Sequence, residues 1–214
     1  MAGKIITVAQ QKGGSGKTTL AVNLAISLLG RGHSVAIVDT DPQGSMGRWF
    51  IERMERADTD PEQALEFSTS SAWGASYESE KLKKRFDFVI LDTPPKIDAD
   101  LRPALRVADL VVVPVATSQV DLWATEGVLD LTRREKRRAL IVINRARPGT
   151  RLSAEIASQA ADLDADVART QIGNRVAYAE TLGQGLGVSE RSRTRTAGDE
   201  FEALADEIIA ACGK

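Results

Sequence analysis

Five short runs of consecutive apolar residues punctuate the chain: KIITVA (4–9), SVAIVD (34–39), FDFVILD (86–92), DLVVVPV (109–115) and ALIVIN (139–144). They are rich in β-branched residues, show no polar alternation and end at a polar group or a proline, as strands buried on both faces do. Segments of helical length separate them, from Lys17 to Leu29, Ala72 to Arg85, Ala99 to Val107, Leu122 to Arg137, Leu152 to Leu163 and Phe201 to Cys212. The βαβα order predicts a doubly wound α/β fold, with a mainly parallel sheet and helices on both faces. Met46 to Ser71 is less regular: FIERMERADTDPEQALEF accommodates a helix, a loop and a weak edge strand, with a helical turn expected to start at Asp60-Pro61. No internal repeat or linker interrupts the 214 residues, so one domain spanning residues 1–214 is expected.

No run approaches the roughly 18–20 apolar residues of a membrane span, and the first apolar run leads directly into a glycine loop, which fits a strand better than a secretory signal. A cytoplasmic location is expected. The single cysteine, Cys212, excludes an internal disulfide and a multi-cysteine metal site within one subunit. His33, after Arg31-Gly32, is read as a turn residue. The formal net charge of −2 argues against nucleic acid as a partner, yet TRREKRR (132–138), NRARPGTR (144–151) and RSRTR (191–195) concentrate positive charge that DEFEALADE (199–207) offsets. A basic face is compatible with that total.

The distinctive residues fall at the carboxyl ends of the predicted strands, where open α/β sheets bind ligands. Gln10 to Thr19 joins the first strand to the first helix and contains Gly13-Gly14-Ser15-Gly16-Lys17-Thr18. Glycines let backbone N–H groups turn inward around a phosphate, and the helix N-terminus adds positive partial charge. This is a variant of the usual G-x-x-x-x-G-K-[ST] loop, because Gln11 stands where the first glycine belongs and Lys12 adds a second lysine. Lys17 is expected to neutralise the β- and γ-phosphates, Thr18 to hold Mg²⁺ through its hydroxyl, and Thr19 to reach the α-phosphate. VDTDPQG (38–44) and VILDTPP (89–95) place carboxylates beside that loop. Asp92 suits the acid near Mg²⁺, Asp39 the outer metal shell, and Asp41 the positioning of the attacking water.

KGGSGKTT, DTDPQG and VILDTPP, in this order and spacing, resemble the deviant phosphate loop and the two switch segments of the ParA/MinD family of ATPases. NRVAYAETLGQGLGVSE followed by AGDEFEALADEI extends the resemblance to the closing segment of short ParA-type partition proteins. The resemblance implies a Mg²⁺-dependent ATPase that forms an ATP-sandwich homodimer, with Lys12 reaching the phosphates held by the partner subunit. It places Asn144, at the end of the last predicted strand, at the adenine. It further implies ATP-dependent, non-specific binding to nucleoid duplex DNA, and a centromere-binding or cargo-adaptor protein that stimulates hydrolysis. Candidate DNA contacts are Arg169, Arg175, Arg191, Arg193 and Arg195, with Arg145 and Arg147 adjoining the base pocket; Arg133 to Arg138 is read as a solvated or partner-facing surface. The mainly acidic Phe201 to Lys214 differs from the basic amphipathic helix that ends MinD-type members, so no membrane partner is expected. The cargo is left open between a plasmid and a protein assembly. A metabolic ATP-dependent synthetase on the same fold is the alternative, against which Lys12 and DTDPQG argue, and a DNA-binding module with vestigial ATPase activity is the third reading.

Overall fold

In the computed structural model, residues 3–56, 65–95 and 101–213 are described. The apolar runs form β1 (Lys4–Val8), β2 (Val35–Asp39), β4 (Phe88–Asp92), β5 (Leu110–Ala116) and β6 (Ala139–Asn144), and the irregular segment contributes α2 (Ser45–Met54) and the half-buried edge strand β3 (Leu65–Thr69). The expected turn at Asp60-Pro61 lies outside the described residues, as does the start at Ala99 of the helix seen as α4 (Leu101–Val107). One seven-stranded, wholly parallel sheet results, in the order β3-β2-β4-β1-β5-β6-β7, where β7 is the two-residue strand Asp166–Val167.

Alternate residues of each strand feed two cores. Ile6, Val8, Ile37, Ile90, Val112 and Val142 pack on α1 (Lys17–Gly30) and α8 (Arg195–Cys212), against Leu20, Leu24 and Leu28 of the first helix and Phe201, Leu204 and Ile208 of the last. On the other face, Val38, Val89 and Leu91 meet α3 (Ala75–Leu82) and α4, while Val113, Val115 and Ile143 meet α5 (Gln119–Arg134) and α6 (Arg151–Ala161). Each such aliphatic side chain removed from water contributes about 1.5–3 kcal/mol, which is why every central strand is apolar without alternation. α7 (Val176–Leu182) and two 3₁₀ turns, Val188–Glu190 and Ser192–Thr194, link β7 to α8.

Register places the chemistry. Asp92 pairs with both Val8 of β1 and Asp39 of β2, so two carboxylates and the exit to the glycine loop lie side by side at the carboxyl ends of adjacent strands. Ala116 pairs with Asn144, which sets the β6 terminus on the other side of that loop. His33 occupies the α1–β2 turn, its ring edge-on to Phe88 at 5.0 Å.

Candidate active site

The loop between β1 and α1 depends on left-handed backbone at two glycines, Gly14 with φ 75° and Gly16 with φ 91°. At Gly16 a Cβ would lie 2.4 Å from Asn144 Nδ2, so both its dihedral and its surroundings require glycine. α1 opens with no side-chain cap and no acid in its first turn. Its first N–H groups therefore face a cavity of about 330 Å³, lined by Gly13, Gly14, Lys17, Thr18, Asp41 and Ser45 among others. Uncapped helix N–H groups at the wall of a cavity constitute an anion site. A larger cavity of about 590 Å³ lies between α1 and α8, away from this loop.

Lys17 is only 7% exposed. Burial pushes the pKa of its ammonium down, against the pull of Asp92 and Asp41. Asp92 is 1% exposed, and burial raises its pKa to about 7 despite a 2.5 Å hydrogen bond from the Thr18 hydroxyl to Oδ2 and the nearby Lys17 charge. Its other oxygen, Oδ1, is buried and has no hydrogen-bond partner among the described residues. Asp39 accepts from Asp41 N at 2.9 Å and Gly47 N at 3.3 Å, and burial again moves its pKa upward. Asp41 accepts from Gln43 N at 2.9 Å and borders the cavity.

Three carboxylates, Asp39, Asp41 and Asp92, stand near the buried Lys17 ammonium, with Arg145 at the cavity wall; the Asp92 oxygen that lacks a partner among the described residues, beside a hydroxyl, is a hard-oxygen donor set that suits Mg²⁺. Among the described residues no group of three or more His, Cys, Asp or Glu could hold a metal alone.

The two lysines are treated differently. Lys17 lines the phosphate cavity, whereas Lys12 Nζ lies 2.6 Å from Asp121 Oδ2 at the start of α5. Asp121 also accepts from the Ser118 hydroxyl, and its own N–H donates to Ser118 Oγ. Gln10 is buried and ties the loop to the same helix, donating to Thr125 Oγ1 at 3.1 Å and to the Pro114 carbonyl at 3.3 Å. Neither Gln10 nor Asp121 stood out as a site residue in the sequence. The spacing Ser118-x-x-Asp121 is a readable helix-start signal that places α5 ahead of Leu122.

Asn144 donates from Nδ2 to the Ser15 carbonyl at 2.8 Å and accepts Arg145 N at 2.9 Å, so its amide braces the loop. Ser15 is buried and its hydroxyl has no partner among the described residues. Arg145 has φ 53° and lines the phosphate cavity, and Arg147 is exposed.

The candidate DNA contacts are unequal. Arg175 forks onto Glu200, at 3.2 Å through Nε and 2.5 Å through Nη2, in company with Tyr178. The Arg169 side chain is extended into solvent, 4.0 Å from Glu207. Arg193 is exposed on the second 3₁₀ turn and Arg195 is exposed at the first residue of α8, Arg191 is half-buried, and none of the three forms an ion pair among the described residues. Arg133, Arg134 and Arg138 are paired with Asp130, Asp164 and Asp166 on the surface.

A glycine loop between a buried parallel strand and an uncapped helix, with a lysine, a hydroxyl and a strand-end carboxylate at its edge, defines a P-loop nucleotide-binding protein. Residues 4–147 match the family model described as ATPase MipZ. The chain therefore belongs to that family of ATPases, within the ParA/MinD group. It is 28% identical to the maintenance of carboxysome distribution protein A of Halothiobacillus neapolitanus over 95% of each chain. It is 31% identical to the chromosome-partitioning ATPase Soj of Thermus thermophilus, over 96% of this chain and 95% of that one. In fold it is similar to the ATP complex of a Cyanothece McdA variant, with TM-score 0.80, 19% identity, and coverage of 98% of this chain and 97% of that one. The Mg-ADP complex of Pyrococcus horikoshii MinD is similar at TM-score 0.80 and 18% identity, over 96% and 95% of the two chains.

Proposed function

We propose that this ATPase positions or segregates a cargo by cycling between an ATP-bound dimer that holds nucleoid DNA without sequence preference and an ADP or free monomer that does not. The observation that carries the reading is the division of labour between its lysines. Of these two, Lys17 lines the phosphate cavity, and Lys12, in a half-exposed ion pair, is available to phosphates held by a second subunit. A nucleotide buried between two protomers needs that cation, because several phosphate charges leave water together.

Within one subunit, the loop amides of Gly13 to Thr19 cradle the phosphates and Lys17 neutralises the β- and γ-oxygens. Thr18 and Asp92 would hold Mg²⁺, with Asp39 behind them, and the ion would supply neutralisation of phosphate charge. Asp41 orients the attacking water toward the γ-phosphate. Asn144 stands at the adenine side of the loop while fixing the Ser15 carbonyl. Hydrolysis ends the dimer, and an adaptor bound to the cargo stimulates that step. The relatives named for carboxysome distribution and chromosome partitioning support a positioning role, with the cargo a plasmid, a chromosome region or a protein assembly.

Arg191, Arg193 and Arg195, together with Arg169, supply the DNA face, while the Arg175 guanidinium is engaged by Glu200; association with the nucleoid in the cytoplasm follows from that face. No helix among the described residues is long and apolar enough to cross a membrane. The deciding experiment measures binding to random-sequence duplex DNA with ATP or ADP over a salt series, beside Arg193→Glu. Binding only with ATP, falling steeply with salt and weakened in the variant, is the expected result, since each phosphate contact adds roughly 0.9 to the log–log salt slope. Absence of binding in both nucleotide states removes DNA from the account.

A further inference from the structure

α2 begins at the nucleotide site and ends on the arginine-bearing segment. Its first residue, Ser45, lines the phosphate cavity, and the N–H of Gly47 is held by Asp39 at 3.3 Å. Near the other end of this helix, about 15 Å long, stands Arg53, whose side chain is only 4% exposed. The Arg53 guanidinium donates from Nη2 to Glu190 Oε1 at 2.8 Å, and from Nη1 to Glu190 Oε2 at 3.0 Å and the Gly185 carbonyl at 3.1 Å. One helical turn earlier, Trp49 Nε1 donates to the Leu186 carbonyl at 3.3 Å, and its ring lies under Arg53 at 5.6 Å. The backbones themselves touch, since a Cβ on Gly185 would come within 2.3 Å of Arg53 N.

The same segment has a second hold, on the phosphate-loop helix. Val188 N donates to Asn23 Oδ1 at 2.8 Å, and Asn23 Nδ2 donates to the Thr19 carbonyl at 2.8 Å. Residue 188 is thus fixed to α1 and residue 190 to α2, with Arg191, Arg193 and Arg195 immediately beyond. Any change in the angle between the two helices is imposed on a stretch of two residues. A bidentate pair transmits it because both of its hydrogen bonds fix direction as well as distance, and because unpairing a buried charge is costly.

We infer that Arg53 and Glu190 are positioning residues that couple the occupancy of the nucleotide site to the placement of Arg191–Arg195, with Asn23 as the fixed point. The link to DNA and the seat of the γ-phosphate rest on the functional reading above; the tie of α2 to residues 185–190 does not. γ-Phosphate beside Asp41 and Ser45 shifts the start of α2, and the helix carries that shift to Glu190.

The test is hydrogen–deuterium exchange of peptides covering residues 185–195 in the full chain, with ADP or a non-hydrolysable ATP analogue, in the wild type, Glu190→Gln and Arg53→Lys. The wild type is expected to change exchange in this segment several-fold between the two nucleotides. Glu190→Gln retains an acceptor for Gly187 N, which the carboxylate bonds at 2.7 Å, and it is expected to bind both nucleotides as the wild type does while losing most of the difference. Arg53→Lys, which keeps the charge and removes the fork, is expected to do the same; should it fail to fold, Glu190→Gln decides alone. A wild-type segment indifferent to nucleotide, or a Glu190→Gln protein that keeps the full difference, overturns the coupling. Coupling that persists in a protein that never binds duplex DNA overturns the functional reading and leaves the coupling standing.

Discussion

Lys12 and Asp121 form a 2.6 Å ion pair across 109 residues of sequence, joining the glycine loop to the first turn of α5. Asp121 is buried, at 7% exposure, but Lys12 retains 38%, so solvent screens the pair and its worth is on the order of 1 kcal/mol or less. That is enough to hold the lysine within its own subunit and, in the proposed ATP dimer, too little to oppose capture by a second subunit's phosphates. Asp121→Asn is expected to raise the ATP-dependent dimer constant by up to about fivefold, the factor that 1 kcal/mol represents. Lys12→Ala is expected to stay monomeric with ATP. Sedimentation of both proteins checks the pair of outcomes, and a persistent Lys12→Ala dimer removes this lysine from the interface.

Lys17 offers a sharper contrast, because it is buried within reach of the Asp92 charge and, among the described residues, no other lysine lines the phosphate cavity. Removing one partner of a buried charge pair costs roughly 3–5 kcal/mol. Lys17→Ala should therefore lose more than about 100-fold in nucleotide affinity, read by calorimetry, while Lys12→Ala loses far less in the monomer. Equal losses in the two variants would mean that the phosphates lie elsewhere.

Asp41 borders the cavity and, among the described residues, spends one oxygen on its own turn, at Gln43 N. Asp41→Ala is expected to keep ATP binding and the ATP dimer but to lose about 100- to 10,000-fold in turnover, the range that a positioned general base contributes. Single-turnover hydrolysis alongside sedimentation separates the two effects, and an unchanged rate sends the search for the water-positioning group to another residue.

Gly16 shows how backbone geometry underlies the site. With φ at 91° and the Asn144 amide 2.4 Å from where a Cβ would stand, Gly16→Ala should destabilise the fold by about 1–3 kcal/mol and displace the Ser15 carbonyl from Asn144. Gly13 has nothing within 4 Å of a Cβ position and no positive φ, so Gly13→Ala should leave thermal stability nearly unchanged. Melting curves of the two variants make the comparison, and a Gly16→Ala protein as stable as the wild type would contradict the loop geometry.

Much of this architecture is legible in the residues themselves. β1, β2, β4, β5 and β6 are buried on both faces, so burial alone forces continuous apolar runs, and their register then brings Asp39 and Asp92 together. β7 escapes this logic because two residues, Asp166 and Val167, at a half-exposed edge carry no run. α7 is too short, at seven residues, for a helical period to stand out. Long-range pairings were beyond reach for a different reason. Nothing local in Lys12 announces Asp121, and nothing in Arg53 announces Glu190, because each pair is created by the packing of elements more than a hundred residues apart. For the same reason Arg175 reads as a free cation in the sequence, while Glu200, 25 residues further on, occupies its guanidinium.

That last pairing predicts an acid sensitivity. Burial alone would raise the Glu200 pKa, but hydrogen bonds from Arg175, Gly173 N and Tyr178 outweigh it and leave the carboxyl below its ordinary 4.5. A carboxyl with a lower pKa folded than unfolded contributes stability above about pH 4.5, and the contribution disappears as pH falls through the folded value. Wild-type stability should therefore decline through this window more steeply than that of Glu200→Gln, which retains the packing but cannot titrate. Near neutral pH the order is clear, with the variant the less stable, and the two curves should converge in acid. Urea denaturation at a series of pH values between about 3 and 7 reads both trends. Parallel curves across the whole range would show that the Arg175–Glu200 fork carries no linkage, and would return Arg175 to the pool of cations available to DNA.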